Sequence, residues 1–305
     1  MLYCRAALSD TFPESMQRHN ETQRLKWALI ISGLYFFAEL IAGFITNSLA
    51  LLSDAGHMLS DIGALSLSLF AFRMARRPAT LQSTYGYHRI EILAALFNGL
   101  MLWLIVGIIF AAAYGRFFHP PMVDSQGMMI VAVVGLLVNL VAAAILHGAH
   151  RHNLNLRGAF LHVISDAVGS VGAIMAGLVM MTTGWYLADP LISFFIGILI
   201  LFSSWSLVRD SLSVLMQTVP KGIRLEEVRG TIEAVDGVSA VHDLHIWAVT
   251  SDIFTLSAHA VVTQGGDFHE VLNGIEDTLK ERYNIEHVTI QLETESREDK
   301  EFKAF

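Results

Sequence analysis

Apolar residues come in long runs from about Trp27 to Val208, broken only by short polar stretches, and then give way to a finer alternation. A bilayer core takes about 20 apolar residues per spanning helix. The runs predict six such helices, over 27–46, 49–72, 90–115, 126–147, 158–183 and 190–208. The connection Thr46-Asn47-Ser48 is so short that the first two must form an antiparallel hairpin. Asp189-Pro190 marks the entry to the sixth, because proline is tolerated in a first helical turn.

Beyond the runs, Leu225–Val235 has helical spacing and Ser239–Val249 alternates as a strand. Phe254–Val262 reads as a second strand, Phe268–Tyr283 as a helix and His287–Leu292 as a third strand. The order α-β-β-α-β predicts a small α+β sandwich, ferredoxin-like or metallochaperone-like, with its helices on one face of the sheet. The expected fold is therefore an all-α six-transmembrane-helix bundle with a C-terminal cytoplasmic α+β domain. The predicted division is 1–26, a cytoplasmic N-terminal segment; 27–209, the membrane domain; 210–295, the soluble domain; and 296–305, a tail.

Composition agrees with this reading. Of the 305 residues 53% are hydrophobic and only 16% charged, too few charges for an ordinary soluble protein. Residues 210–305 carry 18 Asp and Glu against 8 Lys and Arg, whereas residues 1–209 carry 10 against 12. An acidic tail excludes nucleic acid as partner, since phosphates call for basic surface. It suits a region that gathers cations, or serves as a solubility device. Arg5, Arg18, Arg24, Lys26, Arg73, Arg76, Arg77, Arg89, Arg151, Arg157 and Arg209 fall on one side of the predicted spans and only Arg116 on the other. The positive-inside rule then places both termini in the cytoplasm. Charges ahead of the first apolar run predict no cleavable signal. The single cysteine, Cys4, rules out an internal disulfide and a Cys-rich zinc site. The stretch His147 to His152 leans towards a histidine-rich loop but is too short to be one.

The candidate chemistry lies inside the apolar runs. His57 and Asp61 in the second helix are four residues apart, hence on one helical face, and His162 and Asp166 repeat the device in the fifth. An ionisable group at bilayer depth costs about 2.5–3.5 kcal/mol on insertion scales, so two matching pairs need a common purpose. Asp61 lies roughly 18 Å along its helix from one membrane face and Asp166 roughly 12–15 Å along its own from the other, at 1.5 Å per residue. In a core of about 30 Å both reach the midplane. Two imidazoles and two carboxylates make a four-coordinate nitrogen–oxygen site that suits tetrahedral zinc. Internal bonding within each pair, as a helix brace, would not explain their matched depth. Histidine must be neutral to bind zinc, so metal binding expels protons and metal release takes them up. An unperturbed imidazole titrates near pH 6.5, within physiological reach. Asp54 shares the face of His57 and Asp61; it either lines an exit path or is hydrated near the helix end. Glu39 is either an accessory of the site or an interhelical partner, while Asn98 and Asn139 suit hydrogen bonding between helices.

The segment Ser48-Leu-Ala-Leu-Leu-Ser-Asp54-Ala-Gly-His57-Met-Leu-Ser-Asp61, together with His162-x-x-x-Asp166 and Tyr85-Gly-Tyr-His-Arg-Ile-Glu91, resembles the cation diffusion facilitator family, in particular its ZitB-type branch of bacterial zinc exporters. The likeness runs from about residue 25 to 295. It implies a homodimer in the bacterial inner membrane that exchanges cytoplasmic zinc (Zn2+), or cadmium, for protons by alternating access, without an organic cofactor. His57, Asp61, His162 and Asp166 take the place of the family's transport ligands. In the tail, His242, His259 and Glu293 match positions that bind regulatory metal in relatives, with His269 a further candidate; the alternative is surface histidines that hold no metal. Gln291 stands where some relatives have histidine, which leaves a two-metal tail site incomplete. The loop from Pro78 to Tyr87 contains no histidine, acid or cysteine, and so offers no metal site. Competing classes are an intramembrane metalloenzyme, which would keep an open coordination position, and a metal sensor, for which no output-domain signature follows the sixth helix.

Overall fold

The computed structural model describes residues 30–146, 154–250 and 253–296. The N-terminal segment with Cys4, the 147–152 histidine stretch and most of the final tail lie outside the described residues. Six apolar helices open the chain: α1 (Ile30–Thr46), α2 (Leu49–Ala75), α3 (Arg89–Phe118), α4 (Ser125–Leu146), α5 (Leu154–Thr183) and α6 (Ala188–Leu215). Five of them are long and apolar enough to cross a membrane within their described residues, and α1 is shorter. Large apolar side chains such as Leu34, Phe37, Phe44, Leu69 and Phe202 remain exposed along these helices, a surface that water would not tolerate and lipid does. The protein is an integral membrane protein.

The observed α6 runs seven residues past the predicted end at 208. Arg209 and Asp210 end the apolar run, but a charged pair does not end a helix; polarity marks the change of solvent, not of backbone conformation. The hairpin between α1 and α2 turns through Asn47 in the left-handed region (φ 55°), a conformation asparagine visits more readily than most residues.

Two compact units emerge from the chain, one comprising residues up to Leu65 with Leu100–Trp205, the other Ser66–Gly99 with Ser206 onward. In the first, a buried cluster joins Ala50 and Leu51 of α2 to Leu102, Val106, Met128, Ala132, Ala173, Ala176, Ile196 and Ile200 of the later helices. Its small residues let helices approach closely, as expected where lipid supplies no hydrophobic drive. Gly135 of α4 shows the need for such smallness, because a Cβ there would collide with the ring of Tyr35 on α1.

The second unit contains α7 (Leu225–Glu233), β1 (Val238–Thr250), β2 (Ile253–Val262), α8 (Phe268–Tyr283) and β3 (His287–Glu293). The sheet order is β1-β2-β3, with β1 and β2 antiparallel and β2 and β3 parallel. Val228 and Ile232 of α7 and Val271, Ile275 and Leu279 of α8 share one core with Val241, Leu244 and Ile246 of β1 and Leu256, Ala258, Ala260 and Val262 of β2. Every second residue of β2 thus faces the helices, and His259 falls on the other side of the sheet. Asp267 caps α8 by accepting from the His269 amide at 2.8 Å, and Asn284 ends it in the left-handed conformation. Within the same unit, the connection that follows α2 lies against the soluble elements. Tyr85 meets the ring of His287 edge-on, and Glu91 accepts from the Thr250 hydroxyl at 3.0 Å.

Candidate metal centres

In the first unit the two His-x-x-x-Asp pairs converge. His57 Nε2 is 3.7 Å from Asp61 Oδ2 on its own helix and 4.0 Å from Asp166 Oδ1 on α5. His162 Nε2 is 3.2 Å from Asp61 Oδ2 and 3.5 Å from Asp166 Oδ2. The two imidazole rings stand 5.3 Å apart at 62°. Zinc bonds of about 2.0–2.2 Å to nitrogen and oxygen imply tetrahedral edges of roughly 3.3–3.6 Å. The observed separations bracket that value: one ligand atom each of His57, Asp61 and His162 lies within 4.8 Å of the others, while Asp166 turns Oδ1 to His57 and Oδ2 to His162. His57 Nδ1 is buried without a hydrogen-bond partner, so bonding within the two pairs does not satisfy every polar atom of the quartet.

A cavity of about 310 Å³ opens beside these residues, lined by Asp54, His57, Asp166, Gly169, Ile200 and Ser203 among others. Asp54 is buried and faces this cavity rather than solvent at a helix end. Glu39 is buried on α1, where it accepts from the Tyr35 hydroxyl at 3.2 Å. Tyr35 also reaches the Val131 carbonyl at 3.2 Å, which ties α1 to α4. Asn139 is buried.

Sequence reasoning passed over the group that seats α2. Asp189, at the start of α6, is fully buried. Its carboxylate accepts from the Ser48 hydroxyl at 2.7 Å, from the amides of Leu49 and Ala50 at 2.9 and 3.1 Å, and from Arg116 at 3.2 Å. A side chain from one helix thus caps the first turn of another, satisfying donors that a helix N-terminus leaves open. Arg116 also donates to the Asn47 carbonyl at 2.6 Å. The signal available in the sequence is Asp189 itself, an acid at the mouth of an apolar run.

In the soluble unit His242, His259 and Glu293 form the second cluster, with one ligand atom from each within 4.8 Å of the others. His242 Nε2 lies 3.3 Å from Glu293 Oε2, and His259 Nδ1 lies 3.3 Å from Glu293 Oε1. His242 and His259 are directly opposed across β1 and β2, and Glu293 pairs next door with Val261 across β2 and β3. Gln291 donates to Glu293 at 2.6 Å, so it orients the carboxylate. His242 and Glu293 are both buried, and two nitrogens plus a carboxylate form a donor set that fits a zinc-like ion. His269 is not among them: it sits exposed in the first turn of α8, its ring 3.4 Å from Asn273.

Residues 25–216 match the family described as the cation efflux transmembrane domain, and residues 220–295 the one described as the cation efflux protein, cytoplasmic domain. A cadmium, cobalt and zinc/H(+)-K(+) antiporter of Bacillus subtilis is 46% identical over 287 residues, covering 91% of this chain and 92% of its own. The metal cation efflux system protein CzcD of Cupriavidus metallidurans is 44% identical over 270 residues, with 88% and 85% covered. The zinc transporter ZitB of Escherichia coli is 38% identical over 296 residues, with 96% and 93% covered. A solved structure of the metal-bound C-terminal domain of the Cupriavidus transporter matches 23% of this chain and 99% of its own at 42% identity, with a TM-score of 0.23.

Proposed function

The chain belongs to the cation efflux family, and on that premise we propose that it exports zinc from the cytoplasm in exchange for protons, through His57, Asp61, His162 and Asp166 between α2 and α5. The family is one of transporters, which sets aside the metalloenzyme considered above. The observation that carries the reading is the set of four nitrogen–oxygen separations between 3.2 and 4.0 Å, drawn from two helices. Zinc, and cadmium or cobalt with similar ligand preferences, would be cargo here. Protonation of the imidazoles competes with the metal for the same nitrogens, so a proton gradient directed inward favours release on the far side. Asp54 and Asp166 face the cavity beside His57, which gives an ion an approach to the quartet. The cytoplasmic membrane, both termini inside, and a homodimer joined through the soluble unit complete the proposal, with a regulatory or structural metal at His242, His259 and Glu293.

The test is zinc uptake into inside-out vesicles under an imposed proton gradient, with and without a potassium gradient, for the parent and for Asp166→Ala. Uptake that follows the proton gradient and disappears in the variant is expected. Equal uptake by both proteins would remove the quartet from the transport path.

A further inference from the structure

The second cluster sits beside a break in β1. Val241 and Leu244 both belong to the apolar core although they are three residues apart, an odd spacing in a strand whose side chains alternate. One residue between them is extra: His242 pairs with His259 and His245 with Ser257, so three steps on β1 run against two on β2. A bulge of this kind leaves successive residues on one face and re-aims a side chain. Here the pair is His242 and Asp243. Asp243 takes the left-handed conformation, with φ 47°. Such a conformation costs free energy for any residue but glycine, although aspartate tolerates it better than most.

The strained residue places its carboxylate between two imidazoles. Its Oδ1 accepts from His245 Nε2 at 2.9 Å, and its Oδ2 lies 3.9 Å from His259 Nε2. The other nitrogen of that ring, Nδ1, is the one facing Glu293. His259 therefore offers one nitrogen to the donor cluster and the other to Asp243. An imidazole that binds a metal through one nitrogen carries its proton on the other, and in metal sites that N–H is commonly held by a carboxylate or carbonyl.

We propose that Asp243 is a positioning residue of the soluble metal site: it receives the Nε2–H of His259, which leaves Nδ1 as a lone-pair donor aimed at the ion held with His242 and Glu293, while His245 fixes the Asp243 carboxylate from its far side. The inference rests on reading His242, His259 and Glu293 as a metal site. Closing 3.9 Å to the 2.7–2.9 Å of a charge-assisted hydrogen bond takes a movement of about 1 Å. The bulge supplies the freedom for it, since its extra residue is not held in the ladder.

The experiment uses the full chain in lipid nanodiscs, with Asp61→Ala and Asp166→Ala removing the membrane quartet from the readout. Zinc affinity is measured by chelator competition, and site geometry by the visible absorption of bound cobalt. Asp243→Gly keeps the left-handed backbone and removes only the carboxylate. It is expected to weaken zinc binding about 10–100-fold, the usual loss for such partners, and to shift the cobalt spectrum while the metal-free protein unfolds as before. Asp243→Asn keeps an acceptor oxygen without the charge and should fall between. Parent-like affinity in Asp243→Gly, alongside abolished binding in Glu293→Ala, would overturn the positioning role alone. Unchanged binding in Glu293→Ala would overturn the metal site and the inference with it. Should Asp243→Gly fail to fold, parent-like affinity in Asp243→Asn overturns the proposal.

Discussion

Replacing Asp189 by alanine should loosen the seat of α2 by an amount the contacts allow one to work out. The carboxylate has no solvent exposure and accepts from Ser48, Leu49, Ala50 and Arg116. Removing one member of a buried ion pair costs about 3–5 kcal/mol, because the remaining charge stays buried without its partner. The two amides left open would add to this at about 1–3 kcal/mol each if they stayed dry. Arg116 is 18% exposed and retains its bond to the Asn47 carbonyl, so part of the loss is recovered. The expected destabilisation of Asp189→Ala is thus about 4 kcal/mol, and that of Arg116→Ala, which leaves the fully buried carboxylate to Ser48 and the two amides, about 3 kcal/mol. Because both variants break the same contact, the double variant should fall short of their sum by at least about 1 kcal/mol. Unfolding in mixed detergent micelles, followed by tryptophan fluorescence, gives the three values. Additivity within about 0.5 kcal/mol would refute the reasoning. So would a loss below about 1 kcal/mol for Asp189→Ala. The consequence reaches the proposed transport quartet, since His57 lies seven residues beyond Ala50 on the same helix, about 11 Å along its axis. Asp189→Ala should therefore lower zinc uptake even though no atom of Asp189 touches the ion.

Other outcomes follow from the same contacts. Gly135→Ala should destabilise the membrane unit by about 1–3 kcal/mol through the clash with Tyr35, with a smaller loss in a Tyr35→Ala background; equal losses in both would refute it. Zinc at about 100 times its dissociation constant should stabilise the soluble unit by about 2.7 kcal/mol, seen as slower amide exchange in β1, β2 and β3 that a chelator reverses and Glu293→Ala abolishes. Ile275 is fully buried on α8, and Ile275→Ala should cost about 2–5 kcal/mol, measurable by the same exchange. Cobalt bound to the full chain with Glu293→Ala should show the intense visible bands of a tetrahedral site, and His162→Ala should weaken them.

Much of the candidate site was legible in the sequence because it depends on local spacing. His57 with Asp61, and His162 with Asp166, are each one helical turn apart wherever their helices lie. The α2–α5 meeting was expected from depth alone, and the contacts between the pairs agree with it. His242, His259 and Glu293 were legible only through a family resemblance, since nothing in three separate strands announces that they share a sheet face. His269, the further candidate, stands exposed in the first turn of α8 and is not among the three clustered residues.

By itself the sequence determined the helical runs, the tight turn at Asn47, the order of strands and helices in the soluble unit, and the ionisable residues set inside the apolar runs. All of these follow from hydropathy, periodicity and turn chemistry along a short stretch of chain. The tertiary structure alone decided that Asp189 caps α2 across 140 residues of sequence, and that one extra residue in β1 brings Asp243 beside His259. A cap borrowed from another helix, and a bulge defined by unequal steps on two strands, are relations between distant segments. No window along one segment contains them.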